Sequence, residues 1–341
     1  MVLTLGVSAR DVCAQHAEQR QQLLQRTFDE LHHERYDSAF ALCAELRALS
    51  PEDPSGDIMA ASVYQAMMRV YRVRAFEAQF DSLCRRGEQF AQKYARKENT
   101  ADAWFMLGSA KGNLALHRFN RGEWAGGLQD AIQALNAMKQ ARQRDREFYD
   151  PDLALGLYEY WKSKKLGMGV GLFSGSRKEA LRMLEAVQAK ARYVARDAEL
   201  TLQDLYMHEG DFARALAINE SLLPQLPLNA SVLYHRAILL EKVGREPEAL
   251  SVWEKLYERI HKFPRPSQSF LAECQLHRAR IFQKTNAAST AIRGALDAAA
   301  THMQHVDRKI EMTGPFENFD EMNNSIRTLT AQLGNSATGS K

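Results

Sequence analysis

Apolar residues return every three or four positions along almost the whole chain, the spacing that gathers them on one face of an α-helix. Leu202 with Leu205, Ala215 with Leu222, and Trp253 with Leu256 are such sets, and charged or amide side chains fill the intervals. The pattern predicts helices near 16–33, 36–48, 55–70, 73–96, 101–119, 124–147, 152–163, 177–191, 197–208, 212–223, 230–242, 247–262, 267–284, 287–311 and 317–333. Gly56, Gly122, Gly210, Gly244 and the pair Pro264/Pro266 punctuate them, as residues that end or turn helices do. No Pro-, Gly- or Ser-rich linker divides the chain, so residues 16–333 read as one continuous helical array. Residues 1–15 form a leader, and the small polar residues of 334–341 a disordered tail.

Part of the array repeats. Tyr206, Gly210, Ala215, Leu216 and Leu222 correspond to Leu240, Gly244, Ala249, Leu250 and Leu256, each pair 34 positions apart. Each unit reads as a helix hairpin. Gly210-Asp211 and Gly244 make the turns, where glycine tolerates the left-handed backbone that ends a helix. Ala215 and Ala249 stand where two helices cross closely, because a larger side chain there would hold the axes apart. Pro227 stops the second helix of one unit, and Pro247 opens that of the next, where its missing N–H costs nothing.

These residues make the chain resemble the tetratricopeptide repeat (TPR) family. Phe212, Ala215 and Pro227 fit the family pattern, and Tyr36, Ala39 and Pro51 repeat the same spacings near the N-terminus. Trp104, Leu107 and Gly108 match its first-helix part. Cys43 and Asn219 depart from it at the later aromatic position, and Gln203 at the small residue of the first helix. The match is close over about 66 residues, Arg196 to His261, and loose elsewhere. The resemblance implies an all-α fold, a right-handed superhelical solenoid of antiparallel helix hairpins. Asp152 to Tyr158 and Gly171 to Arg177 also resemble a segment of exported bacterial TPR proteins of uncharacterised function and, more weakly, the eukaryotic inclusion-body-clearance TPR family. That second resemblance implies a cell-envelope location and supplies no reaction.

Composition narrows the function classes. The chain of 341 residues is 45% hydrophobic and 26% charged, enough apolar material to bury a core. Its net charge is only +3 with acids and bases interleaved, whereas nucleic-acid binding needs clustered cations. Cys13, Cys43, Cys84 and Cys274 form no CxxC pair, which argues against a zinc knuckle or thioredoxin-like site; they read as buried, reduced thiols. At the N-terminus, Met1 to Val7 is apolar, and Val12-Cys13-Ala14 before Gln15 has the small-residue pattern of a signal-peptidase site without a basic segment ahead of it. A truncated signal peptide, hence a periplasmic or envelope protein, and a frayed cytoplasmic N-terminus both fit.

Candidate chemistry is sparse. Gly167-Met168-Gly169-Val170-Gly171 lacks the third glycine of a dinucleotide fingerprint, where Leu172 stands, and lacks the Gly-Lys-Ser/Thr of a Walker loop. The same stretch is long for a repeat turn, and it sets Met168, Val170, Leu172 and Phe173 between basic residues in 162–178. It reads either as a flap packed on the array or as a contact loop for a partner or a membrane surface. His302 and His305 share a helix face but have no third ligand in view. No Ser/His/Asp, HExxH or paired-carboxylate pattern emerges, so no catalytic residue, metal or cofactor is expected.

By repeat register the concave face carries Phe105, Met106, Tyr160, Leu200, Asp204, Tyr234, His235 and Ile238, together with Ser109, Leu153 and Leu157. These either contact a partner or pack between neighbouring helices. The expected function is a non-catalytic scaffold binding a peptide or protein on that face. The alternatives are an envelope or membrane-peripheral adaptor docking through 162–178, and a small-ligand binder or enzyme with a pocket under that loop.

Overall fold

The structure is a computed structural model that describes the backbone of residues 9–166 and 174–338, with side chains over 15–163 and 177–334. Among the described residues there are fifteen helices and no strand. They are α1 (Ala9–His32), α2 (Tyr36–Leu49), α3 (Ser55–Tyr71), α4 (Glu77–Glu98), α5 (Ala101–Asn120), α6 (Trp124–Arg144), α7 (Asp152–Leu166) and α8 (Ser174–Lys190). There follow α9 (Ala195–His208), α10 (Phe212–Leu222), α11 (Ala230–Lys242), α12 (Glu246–His261), α13 (Gln268–Lys284), α14 (Ser289–Gln304) and α15 (Phe319–Thr338). The fold is all-α and TPR-like, an array of helix hairpins. It divides into two compact units, residues 1–65 with 78–202 and residues 66–77 with 203–341.

In the first unit α1 packs on α2, α5 on α6 and α7 on α8. Leu24, Cys43, Ile58, Met106, Ala141 and Val187 meet in its core. Gly108 lets α5 approach α6 closely: a Cβ there would lie 2.8 Å from Cε of Met138. The carboxylate of Asp150 is buried in the turn before α7. It accepts hydrogen bonds from the backbone N–H groups of Arg192, Tyr193 and Val194 at 2.8, 2.6 and 3.0 Å, satisfying donors just ahead of α9 that no helix bond reaches.

In the second unit α11 packs on α12, α12 on α13 and α13 on α14. The repeat register is visible here. Ala215 and Ala249 are both fully buried, and Gly210 and Gly244 take φ of +78° and +77° at the turns. Trp253 is fully buried, its ring stacked on His277 at 4.3 Å between centroids and its Nε1 donating to Glu241 at 2.6 Å. Asn219, which departs from the aromatic of the repeat pattern, is buried and donates to Gln203 Oε1 at 3.1 Å and to the Val232 carbonyl at 3.0 Å. The two departures therefore compensate each other: an amide pair replaces an apolar contact.

Helix α1 starts at Ala9, inside the expected leader of residues 1–15, and two of the other boundaries that differ from the sequence pattern are linked. The pattern runs a helix from 73, but α4 begins at Glu77; it runs another through 287–311, but α14 stops at Gln304. Arg72 adopts φ +55°, and the extended residues after it pair with the segment following α14. Met312 N donates to the Arg72 carbonyl at 2.9 Å, and Arg74 N to that of Ile310 at 2.6 Å. The Arg72 guanidinium is buried against the Glu273 carboxylate, 3.7 Å above the Phe270 ring, and Tyr234 Oη donates to the same carboxylate at 2.8 Å. Burial and the neighbouring Glu273 push the Tyr234 phenol well up, so it remains a donor. Glu311 Oε2 accepts from Ser267 Oγ at 2.7 Å and Ser269 N at 2.8 Å, closing the start of α13. At the far end α15 continues to Thr338, past the expected boundary at 333.

Cys43, Cys84 and Cys274 are buried and unpaired. Burial pushes the Cys43 thiol up to about 12; it pushes those of Cys84 and Cys274 up too, with Asp81 and Glu273 respectively adding to the effect. With Cys13 replaced by serine, a thiol reagent at pH 8 is expected to label none of the three until denaturant is added. Fast labelling of any of them in native buffer would contradict this packing.

Candidate functional site

One concavity of the first unit is a groove walled by α4 and α6 and floored by α5. Its construction starts at the α4–α5 corner. Asn99 takes φ +52°, ending α4, and Thr100 caps α5 by accepting from Ala103 N at 3.2 Å. Trp104 Nε1 then donates to Asn99 Oδ1 at 3.1 Å, and the Arg144 guanidinium covers the indole at 4.8 Å, so this tryptophan is fixed from two sides.

Gln92 and Arg96 of α4, Trp104, Leu107 and Lys111 of α5, and Gln133, Asn136, Ala137 and Gln140 of α6 line a cavity of ≈ 290 Å³. A second cavity of ≈ 250 Å³ is lined by Asp81, Arg85, Leu114, His117, Arg118, Arg121 and Glu123. Between them lies an ion-pair chain. The largely buried Lys111 ammonium bonds to Glu88 and, at 3.3 Å, to Asp130, whose other oxygen lies 2.6 Å from Arg118 Nη1. His117 Nε2 is 3.2 Å from Asp81, and Arg121 Nε is 2.9 Å from Glu123. The opposite, outward side of α6 carries Trp124, Leu128 and Ile132 at 68%, 58% and 52% exposure, an i, i+4, i+8 row left in solvent.

The residues expected on a concave face are divided between the units. In the first, Phe105, Met106 and Tyr160 are buried: Phe105 packs edge-on to Phe148 at 5.3 Å and stacks on Tyr193 at 6.2 Å, and Leu200 is half-buried. In the second, Tyr234 and Ile238 are buried, and exposed Asp204 pairs with His235 at 3.1 Å. Ser109, Leu153, Leu157 and Leu200 in the first unit, and Asp204 and His235 in the second, are the members that are not buried. Met168, Val170, Leu172 and Phe173, with the glycine-rich stretch, lie outside the described residues.

Both ring nitrogens of His302 are engaged, by Tyr257 Oη at 3.0 Å and Gln268 Oε1 at 2.9 Å. Among the described residues no group of three His, Cys, Asp or Glu side chains could hold a metal, and no helix is long and apolar enough to cross a membrane. Sequence reasoning passed over the groove because glutamines, asparagines and arginines on charged helices look like ordinary solvated positions. The spacing of Arg85, Gln89, Gln92 and Arg96 along one face of α4 is the signal that was there to find.

No family model matches the chain, and no curated protein matches it. Solved structures similar to it include the APC/C hetero-tetramer Cut9-Hcn1, with a TM-score of 0.49 and 10% identity over 82% of this chain and 46% of that one. The chain thus spans about half the length of that relative. A thermophilic TPR protein from Thermus thermophilus gives a TM-score of 0.40 and 19% identity, over 64% of this chain and 98% of that one. A tetratricopeptide repeat protein from Parabacteroides merdae gives 0.40 and 14%, over 91% and 99%.

Proposed function

We propose that the protein is a non-catalytic scaffold that holds a peptide or protein partner on its helical surface. The observation that carries this reading is the row Trp124, Leu128 and Ile132 on α6, three large apolar side chains more than half exposed along one helix face. A tryptophan in water at helical spacing from two aliphatic neighbours is the composition of a contact surface. On the concave-face alternative the contact falls on the half-buried Leu200 of the first unit, or on Asp204 and His235 of the second, none of which is an exposed apolar side chain. A cell-envelope setting is a finer proposal, resting on the Val12-Cys13-Ala14 pattern, which lies within α1.

Changing Trp124, Leu128 and Ile132 together to serine is expected to leave the melting temperature nearly unchanged, because these side chains contribute little to the core. Each one buried by a partner contributes about 1.5–3 kcal/mol, so proteins retained by the parent chain from soluble and envelope fractions should be lost from the variant. Retention of the same proteins in the same amounts by both would remove this surface from the scaffold reading.

A further inference from the structure

The groove of the first unit has a charge imbalance that points to its occupant, an inference that rests on the scaffold reading above. Trp104, Leu107, Lys111, Leu114 and Arg118 of α5 and Arg121 just past its end recur at three- and four-residue intervals, so the two cavities lie end to end along one helix face. At the helical rise this trough is about 25 Å long.

The carboxylates on its walls are already engaged: Glu88 by Lys111, Asp130 by Lys111 and Arg118, Asp81 by His117 and Arg121, and Glu123 by Arg121. Two guanidiniums are left over. Arg85 and Arg96 on the α4 wall are exposed, and neither has a hydrogen bond, ion pair or ring contact among the described residues. They are eleven positions apart on one helix face, about 16 Å by the helical rise.

We propose that this trough binds an extended acidic peptide, with one carboxylate meeting Arg85 and a second meeting Arg96. At about 3.3 Å per residue an extended chain covers that gap in about five residues, and because its side chains alternate faces, two acids that both meet α4 stand about four or six residues apart, the long side chains taking up the difference. The α6 wall favours an extended chain over a helix. Gln133 and Asn136 have no partner among the described residues, and an amide offers both a donor and an acceptor. An extended backbone has free N–H and C=O groups to meet them, whereas a helix has spent its own. Trp104 and Leu107 supply the apolar floor for a side chain between the two acids.

The test uses fluorescein-labelled peptides of about a dozen residues, read by anisotropy at low salt against the full chain. Two carry a pair of glutamates about four or about six residues apart in a polar background; the others carry glutamines at those places, or glutamates about five apart, which an extended chain turns to opposite faces. The expected result is tightest binding of one of the even spacings and weaker binding of the odd one. R85Q and R96Q should each weaken it about fivefold, the effect of one exposed ion pair, and the double variant about twenty-fivefold. Circular dichroism should be unchanged. Equal affinity for the glutamine peptide, indifference to both arginine changes, or equally strong competition by an oligonucleotide would each overturn the proposal. Absence of any acidic-peptide binding, with partner capture through the α6 row intact, would overturn this proposal alone and leave the scaffold reading standing.

Discussion

Glu273→Ala is expected to destabilise the protein by about 3–5 kcal/mol, the cost of leaving a buried charge without its partner. The Glu273 side chain is 1% exposed and that of Arg72 7%. Truncation leaves the Arg72 guanidinium over the Phe270 ring with no counter-charge and the Tyr234 hydroxyl with no acceptor. Gly314 lies close against the pair: a Cβ on that residue would stand 2.6 Å from Arg72 Nη1. Replacing both partners by apolar residues, Arg72→Met with Glu273→Leu, should cost much less, because removing a buried pair together removes its desolvation penalty. Urea denaturation of the two variants measures the contrast. A single-variant loss under about 1 kcal/mol would place the pair in a solvated environment.

Trp253→Ala is expected to cost a similar amount, about 3–5 kcal/mol, through the cavity left by a fully buried indole. The indole sits between His277, stacked at 4.3 Å, and Tyr234, edge-on at 5.8 Å, so it joins α12 to both α11 and α13. Trp253→Phe separates packing from polarity. It keeps much of the volume but deprives Glu241 of the Nε1 donor, a change worth about 1 kcal/mol. If the alanine and phenylalanine variants lose equal stability, the hydrogen bond rather than the packing holds this position.

Much of the fold was legible because hairpin packing is local. Ala215 and Ala249 were placed at helix crossings from a 34-residue offset, and both are fully buried there. What escaped was the pairing of residues 72–74 with 310–312, because nothing in either segment announces a partner so far along the chain. Residues 287–311 read as one helix on propensity, yet the segment after Gln304 leaves the helix, and Glu311 serves the start of α13 instead. At the site the limit was different. Periodicity marks an apolar residue as facing something, without saying whether core or partner; for Phe105, Met106, Tyr160, Tyr234 and Ile238 the side chain faces core. The groove escaped for the converse reason, since its polar side chains carry no apolar signal.

Residues 66–77, which group with the second unit, set a schedule for the emerging chain. Arg72 and its carboxylate partner Glu273 are 201 residues apart, so the ribosome must synthesise that length before the guanidinium can be neutralised where it will be buried. At about 5–20 residues per second the interval is on the order of 10–40 seconds. During it Tyr71 also lacks Phe263, on which it stacks at 3.7 Å in the finished protein. A nascent chain arrested after α8 should therefore expose this stretch to a protease that the completed protein resists, and adding the residues through Met312 should restore protection.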